Sequence, residues 1–374
     1  MAETHITHDP IYNTVNRDDF MSLIEVDRYA DRADAFDSII SSTVDHFWDP
    51  TDPAYIDFDA PDEFRMDEHL LMPREFAVEL NCAVADELDE RQQVLLANES
   101  TRFMLSSILH GEQGALSLSA SLCQILRDPG AQEYAANQTR EEARHVTGFS
   151  RYVSHRFGTP LRAGPTLAGL LDEIVKSGLV YKKLVGMQML IEGLAMGAFA
   201  TIHAKTQDPL LKRLVQMVMT DEAFHHKFGK IWADRTVPKL SEQEHEKVET
   251  WAAETFQVLL FNLVNAEQKQ EIYGRFGLDW QWVRSAVIEA FGENDRRQAM
   301  TQGTNIFRVL IKTLLKAGII TERTKPVYAA WVDMDELASE QDEVVGTDVA
   351  EAGIAELREI NAERRPIGRN LRRV

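Results

Sequence analysis

The chain has 374 residues, 44% of them hydrophobic, with only 20 glycines and 12 prolines. It is long enough to enclose a large core, and its turn residues are too sparse for an architecture of many short strands. Sixty Asp and Glu against 40 Lys and Arg leave a formal charge of −20, which disfavours nucleic acid and anionic membrane as partners.

Residues 1–72 read as an N-terminal extension. Short helical patterns run up to His46-Phe47-Trp48, and a loop follows over 49–63 with three prolines and repeated Asp. From Pro73 a helical period takes over. Long helices are expected at about 73–92, 93–125, 131–157, 165–204, 208–236, 241–270 and 279–317. Asp128-Pro129-Gly130, Gly158-Thr159-Pro160 and Asp208-Pro209 punctuate them. No stretch alternates with the period of a strand, so 73–330 is read as one all-α domain. Residues 331–374 turn acidic and then basic, with Arg364, Arg365, Arg369, Arg372 and Arg373. They are expected to form a tail that wraps the body or a partner, or a solvated terminus.

The stretch from Leu184 to Ile202 is apolar enough to consider as a membrane span. It contains Gln188, Glu192 and several glycines, and charge inside a membrane is costly, so a core helix is expected instead. Cys82 and Cys123 lie in segments read as helical and are too few for a disulfide framework. The first residues hold no apolar signal-like run. A cytoplasmic protein with no membrane or nucleic-acid partner is the expectation.

Two short segments carry the chemistry, Glu141-Glu142-Ala143-Arg144-His145 and Asp221-Glu222-Ala223-Phe224-His225. In each, an acid precedes a Glu-x-x-His. A Glu and a His three apart share one face of a helix and can present a carboxylate and an imidazole to one metal ion. One copy is weak evidence, because such pairs are common on solvated faces. Here there are two, and each follows a lone glutamate by the same interval: thirty residues separate Glu112 from Glu142, and Glu192 from Glu222. Two similar helix pairs with this pattern fit a four-helix bundle around a pseudo-twofold metal site.

The lone glutamates stand in apolar surroundings. Glu112 is the only acid between Glu99 and Asp128, and Glu192 the only one between Glu173 and Asp208. A carboxylate buried there costs several kcal/mol unless it is paired, protonated or bound to a cation. No basic residue lies within one turn of Glu192. Glu112, Glu142, His145, Glu192, Glu222 and His225 are therefore the expected ligands, and their oxygens and imidazoles suit iron or manganese better than a structural zinc. A ligating His usually donates its other N–H to a carboxylate. Asp221 is expected beside His145 and Glu141 beside His225, crosswise, with Arg144 bridging the two acids. His46, His110, His203 and His226 offer no ligand spacing.

These residues resemble the ligand set of the ferritin-like di-iron carboxylate superfamily. It includes bacterial monooxygenase hydroxylases, ribonucleotide reductase small subunits, acyl carrier protein desaturases and arylamine N-oxygenases. The likeness covers about 93–236, and all six ligand positions match. It implies a ferritin-like four-helix core with flanking helices, two iron ions or a manganese–iron pair, O2 as co-substrate, and a homodimer. Four positions depart from particular branches. Phe149 stands where many reductase subunits have a radical Tyr, the nearest downstream Tyr being Tyr152. Met196 replaces the Thr of the hydroxylases, and Phe224 the Arg of their second motif. Val218 replaces an additional His of the arylamine N-oxygenases.

The expected function is an O2-dependent di-iron oxidoreductase of oxygenase, hydroxylase, N-oxygenase or desaturase type. Helix spacing nominates Leu109, Leu116, Phe149, Gln188, Met189, Met196 and Phe199 as the lining of a largely apolar substrate pocket. Electrons would come from a ferredoxin or reductase, because the chain shows no flavin, nicotinamide or iron–sulfur motif. Ferritin-like iron oxidation or storage and a radical-generating subunit are the alternatives. The chain carries about 200 residues more than a single short storage bundle, which speaks against the former.

Overall fold

The computed structural model describes residues 19–364 apart from 31, 45, 62, 291–305 and 341–345. Among them there are helices and no β-strand. The longer helices are α1 (Glu90–Cys123), α2 (Pro129–Phe157), α3 (Pro165–Lys176), α4 (Val180–Lys205), α5 (Pro209–Thr236), α6 (Glu242–Val264), α7 (Trp280–Ala290), α8 (Ile306–Lys316) and α9 (Thr347–Glu363).

Local chemistry fixes where the long helices begin. Asp89 accepts from the Gln92 amide at 2.8 Å, and the Gln92 side chain accepts from the Asp89 amide at 3.0 Å, a reciprocal cap on α1. Asp128 and Asp208 cap α2 and α5, each followed by proline at the first helical position. α2 stops at Gly158, whose φ of +80° suits glycine.

α1 packs along α2 and α4 along α5, and the two pairs meet through α2 with α5 and α1 with α4. The core is split in two. One apolar cluster contains Leu118, Tyr134, Leu190 and Phe228; the other contains Leu105, Phe149, Phe199 and Val215. Along every one of the four helices a polar layer separates the two. Glu112, Glu142, Glu192 and Glu222 lie in that layer, so each helix crosses it once.

α4 is long and apolar enough to cross a membrane, but most of its apolar window is buried inside the protein. It is the central helix. A Cβ at Gly197 would come within 2.7 Å of the Ile306 carbonyl, and one at Gly193 within 3.0 Å of the Leu310 backbone, so these glycines let α8 lie directly on the α4 backbone. From Leu184 to Ile191 the helix widens to π geometry, immediately before Glu192. Such insertions turn the residues that follow relative to those before them.

Several sequence boundaries move. Residues 73–92 are not one helix; Arg74–Phe76, Val78–Asn81 and Ala83–Glu87 are separate 3-10 turns. Cys82 therefore lies between turns and not within a helix. The cause is tertiary: Glu79 is buried and accepts from Ser100 at 3.1 Å, from Tyr273 at 2.8 Å and from Lys269. The helix expected over 165–204 breaks at Ser177-Gly178 into α3 and α4. The one expected over 279–317 begins as α7 and ends as α8, with 291–305 outside the described residues. In the tail, α9 packs Ala350, Gly353 and Leu357 against α5. Arg364 pairs with Asp52, while Arg365, Arg369, Arg372 and Arg373 lie outside the described residues.

Candidate metal centre

The polar layer brings all six expected ligands together. Glu112 comes from α1, Glu142 and His145 from α2, Glu192 from α4, and Glu222 and His225 from α5. Glu112 is 5% exposed, Glu192 2%, and the other four fully buried. His145 Nδ1 lies 3.1 Å from Glu222 Oε1, 3.3 Å from Glu142 Oε2 and 3.4 Å from Glu112 Oε2. His225 Nδ1 lies 3.0 Å from Glu142 Oε1 and 3.2 Å from Glu222 Oε2. The donor atoms fall into two sets, Glu112-Glu142-His145-Glu222 and Glu142-Glu192-His225, each drawn together within 4.8 Å. Glu142 belongs to both sets, and Glu142 and Glu222 each face both imidazoles.

The far side of each imidazole is held by a carboxylate. His145 Nε2 meets Asp221 Oδ2 at 2.9 Å, and His225 Nε2 meets Glu141 Oε2 at 2.9 Å. This is the crosswise pairing read from the sequence. With Nε2–H donating outward, Nδ1 is the nitrogen turned to the glutamates in each ring, and once the imidazole is neutral its lone pair would be free for a metal. Arg144 donates to both oxygens of Asp221, at 2.5 and 3.0 Å, and its guanidinium stands 3.7 Å from Glu141.

Sequence reasoning missed other members of this layer. Trp48 Nε1 donates to Asp221 at 2.9 Å, and its ring stacks on His145. His46 is fully buried, stacks on Phe224 and places Nε2 3.4 Å from Asp221. The contacts with Asp221 span about 170 residues of chain, and nothing in local spacing announces them. The buried His46 and Trp48 at the end of an otherwise polar extension were the only available signal. Gln138 donates to Glu142 at 3.0 Å and in turn accepts from Gln188 at 2.9 Å. His46, Glu141 and Asp221 also cluster, but Arg144, Trp48 and the two ligand-set imidazoles already use those carboxylates.

The inner cluster fits divalent metal. Glu142 Oε2, Glu192 Oε1, Glu222 Oε1 and His145 Nδ1 are buried without a hydrogen bond, an expensive arrangement unless a cation meets them. Four carboxylates and two neutral imidazoles carry the charge that two divalent ions cancel. Oxygen and imidazole donors with no thiolate argue against a structural zinc site. Without metal, protons take up that charge. Burial pushes Glu112 up to about 8. Burial, with the Glu222 and Glu142 charges, pushes Glu192 well above the carboxylate range. At Glu222 burial is outweighed by the His225 and His145 imidazoles, which hold it at about 2, and Glu142 is lowered by the same imidazoles. The two imidazoles, which burial alone would keep neutral, are held protonated by their acid neighbours. Metal binding would release these protons.

Glu112 and Glu192 also line a cavity of about 340 Å³. The seven residues nominated as pocket lining do not line it. Phe149 and Phe199 stack on each other at 5.6 Å in the core, and Leu109, Met189 and Met196 are buried there too. Gln188 bonds Gln138, and Leu116 is half-buried on another side of α1. The difference between the nominated residues and the cavity lining is one of rotation about the helix axis. The nominated residues flank Glu112 at −3 and +4, whereas the cavity takes Ile108, Gly111 and Ala115, at −4, −1 and +3. On α4 it takes Leu194, Ala195 and Ala198 in place of Met196 and Phe199.

His110 bonds the Leu161 carbonyl and His226 lies 3.5 Å from Thr313; neither joins the cluster. Comparison with known protein families, with characterised proteins and with solved structures found no match to this chain.

Proposed function

We propose that the chain is a ferritin-like, O2-activating di-iron oxidoreductase acting on a small, largely apolar organic substrate. The observation that carries the reading is the buried pair of ligand sets sharing Glu142, each with an imidazole whose outer nitrogen is engaged by a carboxylate. Two helix hairpins joined by the crossover through α3, with the ligands projecting inward, support the superfamily resemblance. Bound as a pair, iron would supply the redox chemistry with O2.

The protein's own part follows from the geometry. Glu112, Glu142, Glu192, Glu222, His145 and His225 would hold the metals. Asp221 and Glu141 orient the imidazoles, and Arg144, Trp48 and His46 keep Asp221 ionised and in place. The two apolar cores above and below the layer exclude water from it. The cavity reaches the layer at Glu112 and Glu192 and would bring substrate there. An external electron donor is required, since the chain shows no motif for a second redox cofactor.

Anaerobic loading with Fe(II), followed by O2, tests the reading. About two irons per chain and a visible absorption band that forms and decays after O2 are expected, and Glu192→Ala should bind less than one. Wild-type protein that takes up less than one iron per chain and consumes no O2 would sink the proposal.

A further inference from the structure

The cavity that reaches Glu112 and Glu192 has a shape that narrows its ligand. On α1 it follows one stripe: Ala97, Thr101, Met104, Ile108, Gly111 and Ala115. At 1.5 Å per residue, Ala97 to Ala115 is about 27 Å. A cavity that follows one helix for that distance offers an extended ligand more contact than a compact one. Most of the lining is aliphatic or small.

The two ends differ chemically. The inner end holds Glu112 and Glu192. The outer end holds Glu79, Ser100 and Lys269, beside Phe76 and Val78, which are each 40% exposed where the cavity meets the surface. There the hydroxyl protons are already committed. Ser100 donates to Glu79, Thr101 to the Ala97 carbonyl and Ser107 to the Phe103 carbonyl. Glu79 is buried and takes its bonds on one oxygen from Ser100, Tyr273 and Lys269. Among the polar side chains lining this end, the Lys269 ammonium alone has protons left to give. A ligand head that meets Lys269 accepts from it. Ser100 and Glu112 are twelve residues apart on α1, so head and metal layer are separated by about 18 Å.

We propose that the substrate is a linear long-chain molecule whose hydrogen-bond-accepting oxygen head, a carboxylate or a carbonyl, sits on Lys269, and whose unbranched alkyl chain runs along α1 to Glu112 and Glu192. This rests on the reading of the cavity as the substrate site of the metal centre. Oxidation would then fall on a carbon far from the head, and chain length would set which one.

Gly111 makes the proposal testable. It lines the cavity beside Glu112, and a Cβ there would meet nothing within 4 Å, so a larger side chain would enter empty space and not the core. Full-length protein, before and after iron loading, is titrated calorimetrically with straight-chain carboxylic acids of six to fourteen carbons. Their methyl esters, naphthalene and adamantane carboxylic acid serve as further probes. Affinity for the acids should rise about three- to fourfold per methylene and then level off. Gly111→Phe should move that levelling to shorter chains and leave hexanoic acid within about twofold. Lys269→Met should weaken every acid about tenfold, with Lys269→Arg restoring most of it. Esters binding as well as acids would identify a carbonyl head, and acids alone a carboxylate. Affinity independent of chain length, compact probes that bind as tightly as the long acids, or a Gly111→Phe variant that binds like wild type would each overturn the proposal. Iron content of the same samples separates the two readings. Length-dependent binding without iron uptake removes the di-iron reading alone, and iron uptake without length dependence removes this one alone.

Discussion

At the scale of single residues, the buried layer of carboxylates and imidazoles is costly to fold and is arranged as a cation site would be. Glu112 and Glu192 are buried where burial drives their protonation, and no basic residue within one turn of Glu192 compensates it. Residues kept at such a cost for a ligand are usually replaceable with a gain in stability. Glu192→Gln should therefore stabilise the metal-free protein by about 1–3 kcal/mol, read as a higher urea midpoint, and should weaken uptake of added iron. Equal or lower stability of the variant would show that Glu192 is satisfied within the fold itself. The expected ligands were legible because helical spacing acts over three and four residues and because isolated acids in apolar helices demand partners. The crosswise acids were legible for the same reason: Glu141 and Asp221 are tied by one residue to Glu142 and Glu222. His46 and Trp48 were not, since their contact with Asp221 is made only when a distant segment folds over α2 and α5.

At the scale of elements, the contact that shapes α4 is its close approach to α8. With Ile306 and Leu310 backbone against Gly197 and Gly193, any side chain must displace α8. Gly197→Leu should destabilise by about 1–3 kcal/mol, read as a lower denaturant midpoint, although leucine is the better helix former. A midpoint at or above wild type would mean that α8 is free to move. The helix period and the proline and glycine stops placed α1, α2 and α5 to within a few residues. They failed over 73–92, where apolar residues three and four apart also suit successive 3-10 turns, and the buried Glu79 with its partners Ser100, Tyr273 and Lys269 decided the matter. They could not reveal the π segment before Glu192, because an apolar helix all round shows no phase shift.

At the scale of the whole molecule, acid stability should depend on Glu249, which ties α6 to the turn at 321–324. Burial would raise this carboxyl, but hydrogen bonds from Thr321, Thr324 and Arg323 outweigh it and hold the group at about 2, below the ordinary 4.5. A group depressed in the folded state contributes stability above its unfolded value and loses it as the pH falls through the folded one. Glu249→Gln should thus cost stability at pH 7, and the difference from wild type should shrink between about pH 4.5 and about pH 2. A difference that stays constant across that range would assign the effect to packing.

The helical class, the six clustered residues and the cross-linked outer acids followed from the sequence by itself, because they depend on interactions within one or two turns and on the cost of charge in an apolar helix. The side of α1 and α4 that opens into the cavity, the layer completed by Trp48 and His46, and the polar end at Glu79 and Lys269 were decided only by tertiary structure. Each depends on the rotation of one helix against another or on groups more than a hundred residues apart, and spacing along the chain carries no information about either.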